Sequence, residues 1–197
     1  KLPLIEKYLK TADVVFVGGA LYNNVLKSLK HEVGVSLIDA DAPYVDAMVA
    51  DASFAKKVFV PDTVVVKDVG TDSIREAKIT DVHTTETIQD IATFSVAEFV
   101  KRIEEMKTKT ILWNGPIGNF ETEPFAKGTV ELGQQLLAYA KNNADAQLLI
   151  GGGDTVSAIK NITELATQSN IFISTGGGAM LEFLENEGQL PGIVSLI

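Results

Sequence analysis

Four times in 197 residues, a short apolar run ends in a glycine-rich turn or loop that leads to a helical pattern. The fullest case is Leu148-Leu149-Ile150, followed by Gly151-Gly152-Gly153-Asp154-Thr155 and then Val156-Ser157-Ala158-Ile159. Val14-Val15-Phe16-Val17 runs into Gly18-Gly19 in the same way, and Ile171-Phe172-Ile173-Ser174-Thr175 runs into Gly176-Gly177-Gly178. Thr110-Ile111-Leu112-Trp113 enters a stiffer loop, Asn114-Gly115-Pro116-Ile117-Gly118-Asn119-Phe120-Glu121. Strands that alternate with helices must bury both sheet faces. They therefore predict an α/β fold with a mainly parallel sheet and helices on both sides. In such sheets ligands bind beyond the carboxyl ends of the strands. Every glycine junction lies at such an end, so the four junctions are expected on one rim.

The chemistry of the junctions points to an anion. Glycine lets a ligand approach the backbone closely. The first turn of a helix offers N–H groups without acceptors and a partial positive charge. Asp154 is the misfit, because a bare carboxylate repels phosphate. Either a bridging Mg²⁺ removes the conflict, or Asp154 only caps its helix. Glu121 either accepts from ribose hydroxyls or is a solvated loop residue. Gly18-Gly19 is either part of the site or a tight connection, and Trp113 reads as core.

Composition narrows the partners. The net charge is −9 and there is no Lys/Arg cluster, which argues against nucleic acid or an anionic membrane surface. A bound phosphate must then be held by local geometry. Cysteine is absent, which excludes disulfides and thiolate metal sites. His31 and His83 lie in polar surroundings and read as surface residues without a role. No apolar run reaches membrane-spanning length and no signal peptide is visible. A cytoplasmic monomer is expected. The sequence opens at Lys1 and reads as one domain, 1–197, cut from a longer protein.

Elsewhere the pattern predicts a helix over Leu2 to Leu9, another from Leu21 to near Lys30, and one over Pro43 to Lys57. Strands are expected at Val58 to Pro61 and Thr63 to Val66, with a possible edge strand at Ala77 to Thr80. Asp81 to Asp90 reads as a loop. A helix then runs to about Met106, with Ser95 and Glu98 as a capping box. Phe125 to Lys141 reads as a further helix.

Three segments taken together resemble the C-terminal domain of phosphoglycerate kinases: Trp113 to Glu121; Gly151 to Thr155; and Ser174 to Ala179, with Leu181-Glu182-Phe183-Leu184-Glu185 and Leu190-Pro191-Gly192. Val17-Gly18-Gly19-Ala20-Leu21 matches the family's second glycine loop, and the likeness covers essentially the whole chain. The resemblance implies a Rossmann-like three-layer sandwich that binds ADP or ATP with Mg²⁺. It also implies reversible phosphoryl transfer from 1,3-bisphosphoglycerate, shared with an absent N-terminal half that binds phosphoglycerate. By motif match, Gly152, Gly153, Asp154 and Thr155 contact the nucleotide phosphates, with Asp154 on the metal. Glu121 holds the ribose. Asn114, Pro116 and Gly118 line the phosphate and base side, while Gly18 and Gly19 shape the adenine pocket. Gly176, Gly177 and Gly178 present a helix N-terminus to the migrating phosphoryl group. Lys1 matches the second lysine of a Gly-Gly-Ala-Lys-x-x-x-Lys segment. Two positions depart from the pattern: Ala92 replaces a glycine that lies against adenine, and Asn119 replaces an apolar residue beside the base. A pocket tuned differently is the expectation, and the fragment alone is expected to be inactive. The alternatives are a non-catalytic nucleotide-binding module and a dinucleotide oxidoreductase. The oxidoreductase lacks its Gly-x-Gly-x-x-Gly spacing, since Ala20-Leu21-Tyr22-Asn23 follows Gly18-Gly19.

Overall fold

A computed structural model describes residues 2–38, 42–162 and 168–185. The chain opens with α1 (Leu2–Thr11), β1 (Val15–Phe16) and α2 (Gly19–Ser28). Next come α3 (Ala42–Ala50), α4 (Phe54–Lys57), β2 (Val58–Phe59), β3 (Thr63–Asp68), β4 (Ile74–Lys78) and β5 (Glu86–Ile91). The second half runs α5 (Thr93–Glu105), β6 (Thr110–Asn114), α6 (Lys127–Asn142), β7 (Gln147–Gly151), α7 (Gly153–Ala158), β8 (Ile171–Ser174) and α8 (Gly177–Glu185). Among the described residues no helix is long and apolar enough to cross a membrane.

The fold is α/β and Rossmann-like, as expected. Strands β6, β7 and β8 form a parallel sheet in that order, and β1 pairs in parallel with β2. Period-two alternation sends neighbouring side chains to opposite faces of a strand. Val14, Phe16 and Phe59 pack against one core, whereas Val17 and Val58 belong to a second, which Val15 and Val60 also touch. The first core holds α5 and α6 against β6 and β7 through Val96, Phe99, Ile103, Leu132, Leu136 and Leu148. The α5 positions follow helical spacing, so one stripe of the helix is buried. Rings of Phe16 and Phe99 stack at 4.4 Å, joining β1 to this layer. The second core gathers Leu9, Tyr22, Val25, Leu26, Val45 and Met48 from α1, α2 and α3. Helices therefore cover both sides of β1 and β2.

Several local expectations are corrected. The Asp81 to Asp90 loop contains strand β5, which pairs antiparallel with β3 over Glu86–Ile91. Strand β4 pairs along the other edge of β3 and starts earlier than the expected Ala77. Polar Thr85, Glu86 and Thr87 hid this hairpin, yet threonine suits strands, and the Glu86 charge is paired with Arg75 at 2.7 Å. The helix expected over Pro43 to Lys57 is two helices, α3 and α4. Between them the N–H of Ser53 donates to Asp51 Oδ1 at 2.7 Å, a side-chain turn that competes with helix. The Ser95–Glu98 capping box does not form: Ala92 is the N-cap of α5, without a side-chain cap. Ser95 lies inside α5, fully buried, and its Oγ accepts the N–H of Thr63 at 3.2 Å. Burial beside β3 gives the hydroxyl a partner that outcompetes the helix's own N–H groups.

Candidate functional site

Pairing register decides where the glycine junctions lie. Asn114 pairs with Gly151, and Gly151 pairs with Ser174, so β6, β7 and β8 end level with one another. Their three turns therefore leave the sheet side by side at its carboxyl rim. Contacts between the turns tie them together. The N–H of Gly152 donates to Ser174 O at 2.9 Å, and Asn114 Nδ2 donates to Gly177 O at 3.4 Å. Thr155, fully buried, accepts the N–H of Gly115 at 2.8 Å and donates to Gly151 O at 2.7 Å.

Glycine is required at the closest of these approaches. A Cβ on Gly177 would lie 2.5 Å from Gly152 Cα, so the second and third turns touch backbone to backbone. Gly152 also has φ +99°, a conformation other residues rarely adopt. The Gly18-Gly19 junction joins through Ile117: the N–H of Gly19 donates to Ile117 O at 3.0 Å. All four junctions thus form one connected set.

The phosphoglycerate kinase family model matches residues 1–187. The chain belongs to the phosphoglycerate kinase family. It is 37% identical over 199 residues to the phosphoglycerate kinase of Finegoldia magna, covering 98% of this chain and 47% of that protein. It is 36% identical over 200 residues to that of Herpetosiphon aurantiacus, covering 100% of this chain and 48% of that protein. The chain thus spans about half the length of these relatives. The structure of phosphoglycerate kinase from Coxiella burnetii superposes with a TM-score of 0.77 at 34% identity, over 94% of this chain and 46% of that one. That from Pyrococcus horikoshii gives 0.76 at 26% identity, over 99% and 48%.

The residues matching the family's motifs fall into three groups. Gly153, Asp154, Gly176 and Gly178 are exposed on the rim, while Gly151, Thr155 and Gly177 are buried beneath it. Asn114, Pro116 and Gly118 are half-buried along the β6–α6 loop, and Glu121 is exposed at its far end. Ala92, the third group, is the N-cap of α5. It is fully buried, its N–H bonds Thr63 O at 3.1 Å, and it offers no surface to a ligand. Asn119 is exposed and bonds the Gln89 side chain at 3.0 Å. Lys1 and the Leu190-Pro191-Gly192 segment lie outside the described residues. Trp113 is core, its Nε1 donating to Gly115 O at 2.7 Å. His83 is exposed and His31 half-buried.

Asp154 stands exposed in the first turn of α7. Among the described residues no three His, Asp or Glu side chains gather as a metal site. A lone exposed carboxylate suits a Mg²⁺ ion that takes its other ligands from phosphate and water.

Asp90 was not among the expected site residues. It ends the stretch read as loop, yet it is 1% exposed. Its Oδ2 accepts the N–H of Gly128 at 2.7 Å in the first turn of α6, and its Oδ1 accepts that of Ile91 at 2.9 Å. Burial pushes its carboxyl up to about 7, against the pull of those two N–H groups. The signal available was only an acid just before a helix, which is also what an ordinary cap looks like.

A cleft of about 600 Å³ lies elsewhere, at the amino ends of β6 and β7, lined by Glu104, Lys107, Lys109, Tyr139 and Asp145. Its Lys109–Asp145 ion pair closes one wall. None of the motif residues lines it. The chemistry suited to phosphate is on the opposite rim.

Proposed function

We propose that this chain is the nucleotide-binding half of a phosphoglycerate kinase and forms one domain over 1–197. The level ending of β6, β7 and β8 supports this most directly, because it brings three glycine turns to one rim. The first turns of α7 and α8 begin there, with Gly153, Asp154 and Gly178 exposed, and helix starts of this kind favour phosphate oxygens. In this reading Gly152, Gly153 and Thr155 shape the phosphate cradle. Asp154 holds Mg²⁺, which when bound neutralises charge on the phosphates. Glu121 accepts from the ribose hydroxyls. Asn114, Pro116 and Gly118 line the loop side, Gly18 and Gly19 support it through Ile117, and Lys1 reaches a phosphate. Gly177 and Gly178 aim main-chain donors at the transferring group, while Gly176 donates its own N–H to Ser174 Oγ at 3.2 Å and shapes the turn. Phosphoryl transfer depends chiefly on positioning and charge stabilisation. The acceptor is already an anion, so no general base is needed.

The phosphoglycerate would be held by an N-terminal half outside this sequence. The Ala92 methyl is buried inside the protein, so it does not project into the nucleotide groove. This favours a kinase domain over a module that has lost its pocket. Titration calorimetry with ADP and Mg²⁺ is expected to give saturable binding with Kd between about 10 μM and 1 mM, or roughly −4 to −7 kcal/mol. The isolated chain is expected to show no turnover of MgATP with phosphoglycerate. Absence of ADP binding at about 1 mM would falsify the nucleotide role.

A further inference from the structure

Resting on the nucleotide reading, we propose that Asp90 is a positioning residue that fixes the nucleoside-side end of the β6–α6 loop, residues 116–121, against the first turn of α6. The loop is gripped by Asp90, by its neighbour Gln89 and by the first turn of α6. Gly118 packs so closely that a Cβ there would lie 2.0 Å from Asp90 Oδ1. The N–H of the next residue, Asn119, donates to Gln89 O at 2.7 Å. From the other side, fully buried Thr129 in α6 accepts the N–H of Ile117 at 3.1 Å. Asp90 accepts from Gly128, one residue before Thr129. One carboxylate therefore sets where α6 begins and where Gly118 rests, and Pro116 and Glu121 are carried on the same loop.

The phosphate turns are held differently. Gly151 to Thr155 and Gly176 to Gly178 are tied through Thr155, Ser174 and Asn114, with no contact to Asp90 among their bonds. Disturbing Asp90 should thus loosen the nucleoside side and spare the phosphate side. In Asp90→Asn the amide NH₂ must face either the Gly128 N–H or the Ile91 N–H, donor against donor, so the side chain loses one of its two anchors and the surface on which Gly118 rests shifts.

Calorimetry with MgADP and with Mg-pyrophosphate separates the two sides. Asp90→Asn is expected to weaken MgADP about tenfold while pyrophosphate stays within about twofold. Gly118→Ala, which pushes the loop off Asp90 from the other direction, is expected to give the same split and decides the matter if Asp90→Asn does not fold. Equal losses for both ligands would mean a general structural role and overturn the proposal. So would unchanged ADP binding, or wild-type protein that binds ADP but not pyrophosphate, since the rim would then have no separable phosphate side. Failure of the wild-type chain to bind ADP at all would instead remove the nucleotide reading, and this proposal with it.

Discussion

Gly177→Ala is expected to pry the rim apart. The added methyl would sit 2.5 Å from Gly152 Cα and 2.6 Å from Gly152 N, atoms of main chain that cannot rotate away. It would also meet Asn114 Nδ2 at 2.9 Å, on the amide that bonds Gly177 O. Either the turn after β7 or the turn after β8 must move. Overpacking of this kind costs about 1–3 kcal/mol. The loss should also appear in function, because phosphate held by main-chain donors depends on their mutual placement. MgADP affinity is expected to fall by at least about tenfold. Gly178→Ala provides the stability control one residue away: nothing lies within 4 Å of its Cβ. Thermal melts should therefore separate Gly177→Ala from wild type while Gly178→Ala stays close to it. Equal melting of the two variants would show that the turns do not touch as described.

The second large effect lies in the antiparallel sheet. Glu86 is 4% exposed, and Arg75 grips it with two prongs, Nε to Oε1 at 2.7 Å and Nη2 to Oε2 at 2.8 Å. The N–H of His83 adds a third donor at 2.7 Å. Arg75→Ala would leave the carboxylate buried with that one donor. Removing one partner of a buried pair costs about 3–5 kcal/mol. Arg75 is itself partly exposed, so the low end, about 3 kcal/mol, is expected. Acid should narrow the difference. Burial raises the Glu86 carboxyl, but Arg75 and the His83 N–H outweigh it and hold the group below its usual range. The stability from this pair is thus present above the unfolded-state pKa and is lost as pH falls through the lower folded value. In Arg75→Ala the burial effect is opposed only by the His83 N–H and by the His83 ring 3.9 Å away, so that variant loses less on acidification. Urea denaturation at about pH 7 and about pH 4 should show a gap that shrinks in acid. A constant gap would mean that Arg75 acts through packing alone.

These two sites also mark what a reader of the sequence can and cannot see. The glycine junctions were legible because glycine's need is local: a run of apolar residues, a turn, then a helix. Their meeting was an inference from parallel topology, and the register Asn114–Gly151–Ser174 bears it out. Strand β3 and the end of β4 were legible, whereas β5 was missed because its polar residues are stabilised by a partner eleven residues away, Arg75 to Glu86. Ser95 looked like a cap because the rule considers only its own helix, whereas the hydroxyl is taken by Thr63 of a neighbouring strand. Asp90 was hidden for a similar reason, since its ligands, the Gly128 and Ile91 N–H groups, include one 38 residues downstream. Local rules find turns, and long-range polar pairs escape them.

Amide chemical-shift mapping during titration of the folded chain with ADP and Mg²⁺ tests the central claim most directly. Shifts are expected to concentrate at Gly151 to Thr155, Gly176 to Gly178 and Asn114 to Glu121, and to move together with one saturation curve. Shifts gathered instead around Lys107, Lys109 and Asp145 at the opposite rim, or separate curves for the three turns, would contradict a single nucleotide site at the carboxyl edge of the sheet.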